Sequence, residues 1–125
     1  IDVILVDDSI VRSATMKSIV KKVRKAGAKS VTVLVSSPPV RFPDFYGIDT
    51  PDQNELVAAN YSIEEIRQLI GADYLGYLTL DRLIKATGVS RDRFNLSCFT
   101  GEYPADIGKI NLDSITKPVD MEMVE

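Results

Sequence analysis

Apolar positions change their spacing along this chain, and each change marks an element. "VILV", residues 3 to 6, is an unbroken apolar run. It predicts a strand over 3–7 of the kind found in parallel sheets, covered on both faces. Met16, Ile19, Val20 and Val23 then recur three, four and seven apart, which predicts a helix over 14–26 stopped by Gly27. "SVTVLVSS", residues 30–37, returns to a Val-rich strand. Strand, helix and strand make a parallel crossover, expected to be right-handed.

Residues 38–51, "PPVRFPDFYGIDTP", carry four prolines and must be irregular, because proline cannot join a central ladder. Thr50 can cap a helix beginning at Pro51, with Gln53 following. In "SIEEIRQLIG", Ser62 and Glu65 have the spacing of a capping box. Ile63, Ile66, Leu69 and Ile70 form the apolar stripe, and Gly71 ends it. "DYLGYL" predicts a short third strand. "TLDRLIKATG" predicts a capped helix with Leu80, Leu83 and Ile84 inward and Gly88 as terminator, and "FNLSCFTG" predicts a last strand. The pattern fades after Pro104. Residues 108–125 read as a loosely attached C-terminal tail behind one domain part over 1–107. The fold class is α/β, a mostly parallel sheet flanked by helices.

Composition narrows the class without naming it. The 125 residues are 45% hydrophobic and 26% charged, in the range of a soluble domain rather than a disordered one. No apolar run nears the roughly 20 residues that span a bilayer, so no membrane partner is expected. A net charge of −3 argues against nucleic acid as a partner. Residues 1–29 nevertheless hold seven Lys or Arg against three Asp, and the lysines on the first helix read as a solvated face. The lone cysteine, Cys98, cannot form an internal disulfide, which points to the cytoplasm. The chain has no initiator Met and opens almost directly into a strand, as expected of a piece of a longer protein.

The chemistry gathers in "VDDSIVRSAT", residues 6–15. Ligands of parallel α/β sheets collect at the carboxyl ends of strands, where Asp7 and Asp8 stand. Side chains alternate along a strand, so one carboxylate should face the ligand crevice and the other should turn away. Two adjacent like charges invite a cation such as Mg²⁺. Beyond them, Ser9 to Thr15 lead into a helix N-terminus, where unpaired N–H groups favour an anion. Ser9, Ser13 and Thr15 add hydroxyls and Arg12 adds charge. Carboxylates followed by an anion cradle suit a phosphorylated sugar, although Asp8 or Ser13 could instead simply cap the helix.

"VILVDDSIVRSAT" resembles the phosphoribosyl pyrophosphate (PRPP) motif of type I phosphoribosyltransferases. Three further stretches in order, "PPVRFPDFYGIDTP", "ELVAANYSIEEIRQLIGADYLGYLTLDRLIKA" and "CFTGEYP", resemble one branch of them, the glutamine PRPP amidotransferases. The resemblance implies a partial type I phosphoribosyltransferase (Rossmann-like) fold. It implies an enzyme that makes phosphoribosylamine from PRPP and glutamine-derived ammonia, releasing pyrophosphate, in the first step of purine synthesis. It implies an upstream glutaminase domain, purine nucleotides as further ligands and a homo-oligomer. Carried over, Asp7 and Asp8 would bind ribose hydroxyls and help hold Mg²⁺. Ser9, Ile10, Val11, Arg12, Ser13, Ala14 and Thr15 would wrap the 5-phosphate. No residue here acts as a nucleophile, since the chemistry is displacement at the anomeric carbon.

Two departures stand out. The family commonly has Gly-Thr-Thr after the Arg, where this chain has Ser13, Ala14 and Thr15. Some members carry an iron–sulfur cluster on a C-x-x-C pair. Here Asn95 takes the first position and leaves Cys98 alone, so no cluster is expected. A weaker resemblance is to response-regulator receiver domains, through "VDDS" and Lys117-Pro118. It would need Asp49 as phosphoacceptor, and Pro43, Asp44 and Gly47 make its approach a poor strand. A third reading is a non-catalytic PRPP-binding regulator of the same fold.

Overall fold

A computed structural model of the chain describes residues 1–46 and 52–105. Three strands form one parallel sheet in the order β1 (Asp2–Asp7), β2 (Ser30–Val35), β3 (Tyr74–Tyr77). Asp7 is level with Val35, and Val35 with Tyr77, so the three carboxyl ends line up. Helix α1 (Ser13–Lys25) links β1 to β2. Between β2 and β3 come a 3-10 turn (Gln53–Glu55), the short α2 (Val57–Asn60) and α3 (Ile63–Ile70). Helix α4 (Leu80–Thr87), a second 3-10 turn (Arg91–Arg93) and α5 (Ser97–Thr100) follow β3. Asp49, Thr50, Pro51, Lys117, Pro118 and the tail over 108–125 lie outside the described residues.

Local signals in the sequence explain most of these elements. Ser62 Oγ accepts from the Glu65 N–H, and the Glu65 carboxylate accepts from the Ser62 N–H, completing the capping box of α3. Gly71 closes that helix in the left-handed region, at φ 75°, where a side chain would be strained. Met16 and Val20 of α1 pack with Ile66 and Ile70 of α3 and with Val31, Val33, Val35 and Leu75 of the sheet. The last turn of α1 carries Lys22, Arg24 and Lys25, which complement its dipole.

Three expectations need correction. β1 is not covered on both faces: Ile4 and Val6 are 65% and 72% exposed, and Leu34 and Tyr74 on the same side are also exposed. Among the described residues α1 and α3 share the opposite face, and β1 is one edge of the sheet. "FNLSCFTG" is not a strand. The Asn95 carboxamide oxygen accepts from the Ser97 N–H at 3.1 Å and its hydroxyl at 2.7 Å, which starts a helical turn that Gly101 ends. Leu80, Leu83 and Ile84 line one side of α4, yet each is only half-buried.

Asp73 fastens the two halves of the sheet. Its carboxylate accepts from the Val31 N–H at 2.7 Å and from the Arg24 guanidinium at 2.8 Å, and Arg24 also donates to the Gly71 carbonyl. The Val31 N–H, then Arg24, hold its carboxyl below the ordinary carboxylate value. A folded-state pKa lowered in this way adds stability that is present above the unfolded value near 4. It is lost as pH falls through the lowered folded value. Glu64, lowered to about 2 first by Arg67 and then by Gln68, acts with the same sign. Asp73→Asn is therefore expected to flatten, without abolishing, the acid-side decline. Unfolding midpoints from pH 2 to 6 for parent and variant check this, and parallel curves would refute it.

Candidate functional site

The site grows from the end of β1. The Asp7 carbonyl accepts from the N–H and hydroxyl of Ser36, at 3.0 and 3.3 Å, which fixes where the strand stops. The chain then turns through residues 8–12 into α1. One Asp7 carboxylate oxygen accepts from the Asp8 N–H at 2.9 Å, and the Ser9 hydroxyl donates to the Asp8 carboxylate at 3.2 Å. Both bonds tighten the turn. The next residue, Ile10, is buried and anchors it in the core.

A cavity of about 240 Å³ opens here, lined by Asp7, Ser9, Ile10, Val11, Arg12, Thr15 and Met16. Asp7 therefore faces the crevice while Asp8, exposed, lies outside its lining, as the alternation along a strand requires. Of the nine residues 7–15, the cavity brings together six. Asp8, Ser13 and Ala14 stand outside it. Ser13 is buried at 1% exposure and its hydroxyl has no hydrogen-bond partner among the described residues; Ala14 is exposed.

The entry to α1 is uncapped. Arg12 holds the N-cap position in extended conformation, no side chain caps the helix, and no acidic residue lies in its first turn. Neither Asp8 nor Ser13 plays the simple capping role. Among the described residues the N–H groups of the first turn thus have no side-chain cap, and the positive end of a 13-residue helix opens beside the cavity. Arg12 adds a guanidinium, paired with Glu55 at 3.0 Å with both groups more than half exposed. The result is one carboxylate at one end of a small polar cavity and a cluster of donors at the other.

Three contributors were not legible in the sequence as parts of this site. Glu55 reaches Arg12, and the Val57 N–H donates to the Val11 carbonyl at 3.0 Å, each from more than 40 residues away. Met16 reads as a core residue and is one, but it also floors the cavity. Only tertiary packing brings the first two there.

Metal and cluster chemistry divide at this point. Among the described residues no group of three or more His, Cys, Asp or Glu could hold a metal ion. Mg²⁺ is commonly held by one or two carboxylates together with substrate phosphates, and Asp7, which lines the cavity, fits that lesser demand. An iron–sulfur cluster would need several thiolates, of which this chain supplies one, Cys98. Cys98 is half-buried, its thiol pKa raised by burial and then by Asp44, and the Asn95 carboxamide oxygen is engaged by Ser97.

Comparison with known proteins gives a consistent answer. No family model matches the chain. Amidophosphoribosyltransferase of Bacillus subtilis is 51% identical over 109 residues, 84% of this chain and 23% of that protein. The amidophosphoribosyltransferase of Methanocaldococcus jannaschii is 49% identical over 105 residues, 84% of this chain and 22% of that one. Among solved structures, B. subtilis glutamine PRPP amidotransferase in complex with ADP and GMP matches with a TM-score of 0.79 at 50% identity, over 87% of this chain and 25% of that one. A structure described as the allosteric regulatory enzyme of purine biosynthesis matches with a TM-score of 0.81 at 45% identity, over 94% of this chain. The chain thus spans about a quarter of the length of the proteins it matches. In sequence and in fold, it corresponds to a segment of the amidophosphoribosyltransferases and carries part of their type I phosphoribosyltransferase fold.

Proposed function

We propose that this chain is the part of an amidophosphoribosyltransferase that holds the ribose 5-phosphate end of PRPP. The observation that carries the reading is the uncapped N-terminus of α1 opening beside the cavity that Asp7 lines. A phosphate seated there would meet backbone N–H groups and the helix dipole, with Ser9 and Thr15 hydroxyls at hand. Asp7 would accept from ribose hydroxyls or hold Mg²⁺ that arrives with the diphosphate, with Asp8 beside it. Mg²⁺, when bound, would neutralise charge building on the leaving pyrophosphate.

The reaction would be attack of ammonia on the anomeric carbon as pyrophosphate departs, with positive charge developing on the sugar. In such a displacement the protein's contribution is positioning and electrostatics. Asp7 carries its negative charge on the sugar side, and the loop fixes the other end of the substrate. Ammonia would come from a glutaminase domain elsewhere in the polypeptide. Purine nucleotides would act as further ligands of a cytoplasmic homo-oligomer. The extensive identity to amidophosphoribosyltransferases favours this reading over a phosphoacceptor receiver.

The test is ligand-dependent stabilisation of the protein that carries this chain, followed by activity. At about 100 times its dissociation constant, PRPP with Mg²⁺ should stabilise by about 2.7 kcal/mol. Ammonia should then release pyrophosphate from it. A melt unmoved by millimolar PRPP and Mg²⁺, with no pyrophosphate released, would sink the proposal.

A further inference from the structure

We infer that residues 53–60 are a positioning element for the sugar-phosphate loop, acting through the Val57 N–H and anchored by Asn60; this rests on the function proposed above. Asn60 is the anchor because its amide nitrogen donates to three carbonyls at once: Gln53 at 3.0 Å, Asn54 at 3.2 Å and Leu56 at 2.9 Å. One amide group has two hydrogens, so three acceptors converge on it and at least one hydrogen is shared. The side chain closes the 3-10 turn over Gln53–Glu55 onto the start of α2. Leu56, fully buried, and Val57, 3% exposed, hold that turn in the core.

Two contacts leave this turn for the loop, and they reach adjacent residues. The Val57 N–H donates to the Val11 carbonyl at 3.0 Å, and Glu55 pairs with Arg12. The ion pair is exposed on both sides and contributes little. The hydrogen bond matters more because of what it orients. The Val11 carbonyl and the Arg12 N–H belong to one planar trans peptide, so they point in opposite directions. Holding the carbonyl toward Val57 turns the Arg12 N–H to the other side. Arg12 is the N-cap of α1, so this N–H is the first of the free donors at the helix entry. The turn over 53–60 thus sets the orientation of the leading donor without touching a ligand itself. Asn60 and Val57 are positioning residues in this sense.

Val57→Pro tests the contact with the backbone torsions of the turn kept. Val57 is the first residue of α2, where proline is tolerated, and Leu56 before it has φ −77° and ψ 110°, the extended form that a following proline favours. The substitution removes the N–H and puts a ring carbon against the Val11 carbonyl. Asn60→Asp is the second variant. It is nearly isosteric but replaces the donor with an acceptor aimed at three carbonyls. The readouts, in the whole protein that carries this chain, are competitive inhibition by ribose 5-phosphate and by pyrophosphate, with kcat at saturating PRPP and a thermal melt.

Each variant should weaken ribose 5-phosphate by about tenfold, the effect of one hydrogen bond near the upper end of the usual range. Pyrophosphate inhibition should stay within about twofold and kcat within about threefold, a split that general destabilisation would not produce. Should Val57→Pro fail to fold, Asn60→Asp decides alone. Ribose 5-phosphate inhibition within twofold of the parent in the folded variants overturns the inference, and so does equal loss of both inhibitors. A parent inhibited by neither probe overturns the proposed function, and the inference with it.

Discussion

Asp7→Asn should lower kcat/KM for PRPP by about 10- to 100-fold in the protein that carries this chain. The exchange is nearly isosteric and removes a negative charge from the cavity lining. A hydrogen bond to a charged group contributes roughly 1.5–3 kcal/mol, which sets the size of the effect. The turn should survive, because the carboxamide oxygen of Asn can still accept from the Asp8 N–H, as Asp7 does at 2.9 Å. Asp8→Asn should cost less. Its carboxylate stands outside the lining, where the Ser9 hydroxyl donates to it. Steady-state kinetics with PRPP varied, beside a thermal melt, separates the two. An Asp7→Asn enzyme within twofold of the parent would remove the charge-based role given to this residue.

The largest effect on stability is expected from Ile66→Ala. Ile66 has no exposed surface and sits mid-way along α3, in the core shared with α1 and the sheet. Truncating such a residue removes transfer energy and leaves a cavity, together about 2–5 kcal/mol. Alanine is the better helix former, but that returns only a few tenths of a kcal/mol. Urea unfolding followed by circular dichroism should show a lower midpoint at an unchanged slope. A loss below about 1 kcal/mol would mean that α3 does not carry the core contact assigned to it.

What the sequence discloses here depends on the range of the interaction. Ser62 with Glu65, and Gly71 after Ile70, are neighbours in the chain, so the limits of α3 are legible from residues alone. The same holds for Thr79 and Gly88 around α4. The turn from Asp7 to Thr15 is equally local, and the cavity forms where the residue types suggest. "VILV" misleads because an apolar run reports the capacity to be covered, whereas burial depends on what packs there. Ile4 and Val6 have no such neighbour among the described residues. "FNLSCFTG" misleads because its strand-like alternation is outweighed by one side chain, Asn95, whose oxygen takes two donors from Ser97. The contacts of Glu55 and Val57 with the loop have no local signature, since nothing in either segment encodes proximity to the other.

The clasp at Asp73 has a consequence for the order in which the chain can mature. The first strand, the crossover helix and the second strand are complete by residue 35, but the Val31 N–H and the Arg24 guanidinium wait for a carboxylate 42 and 49 residues further on. During vectorial synthesis this early unit would emerge with its opening still unlatched. The entropy of closing so long a loop is recovered only when β3 docks. The crossover that carries the turn from Asp7 to Thr15 would therefore reach its final rigidity late, after translation has passed Asp73. A ribosome-bound nascent chain stalled short of that residue would leave the strand start open to hydrogen exchange, while one stalled well beyond it would be protected.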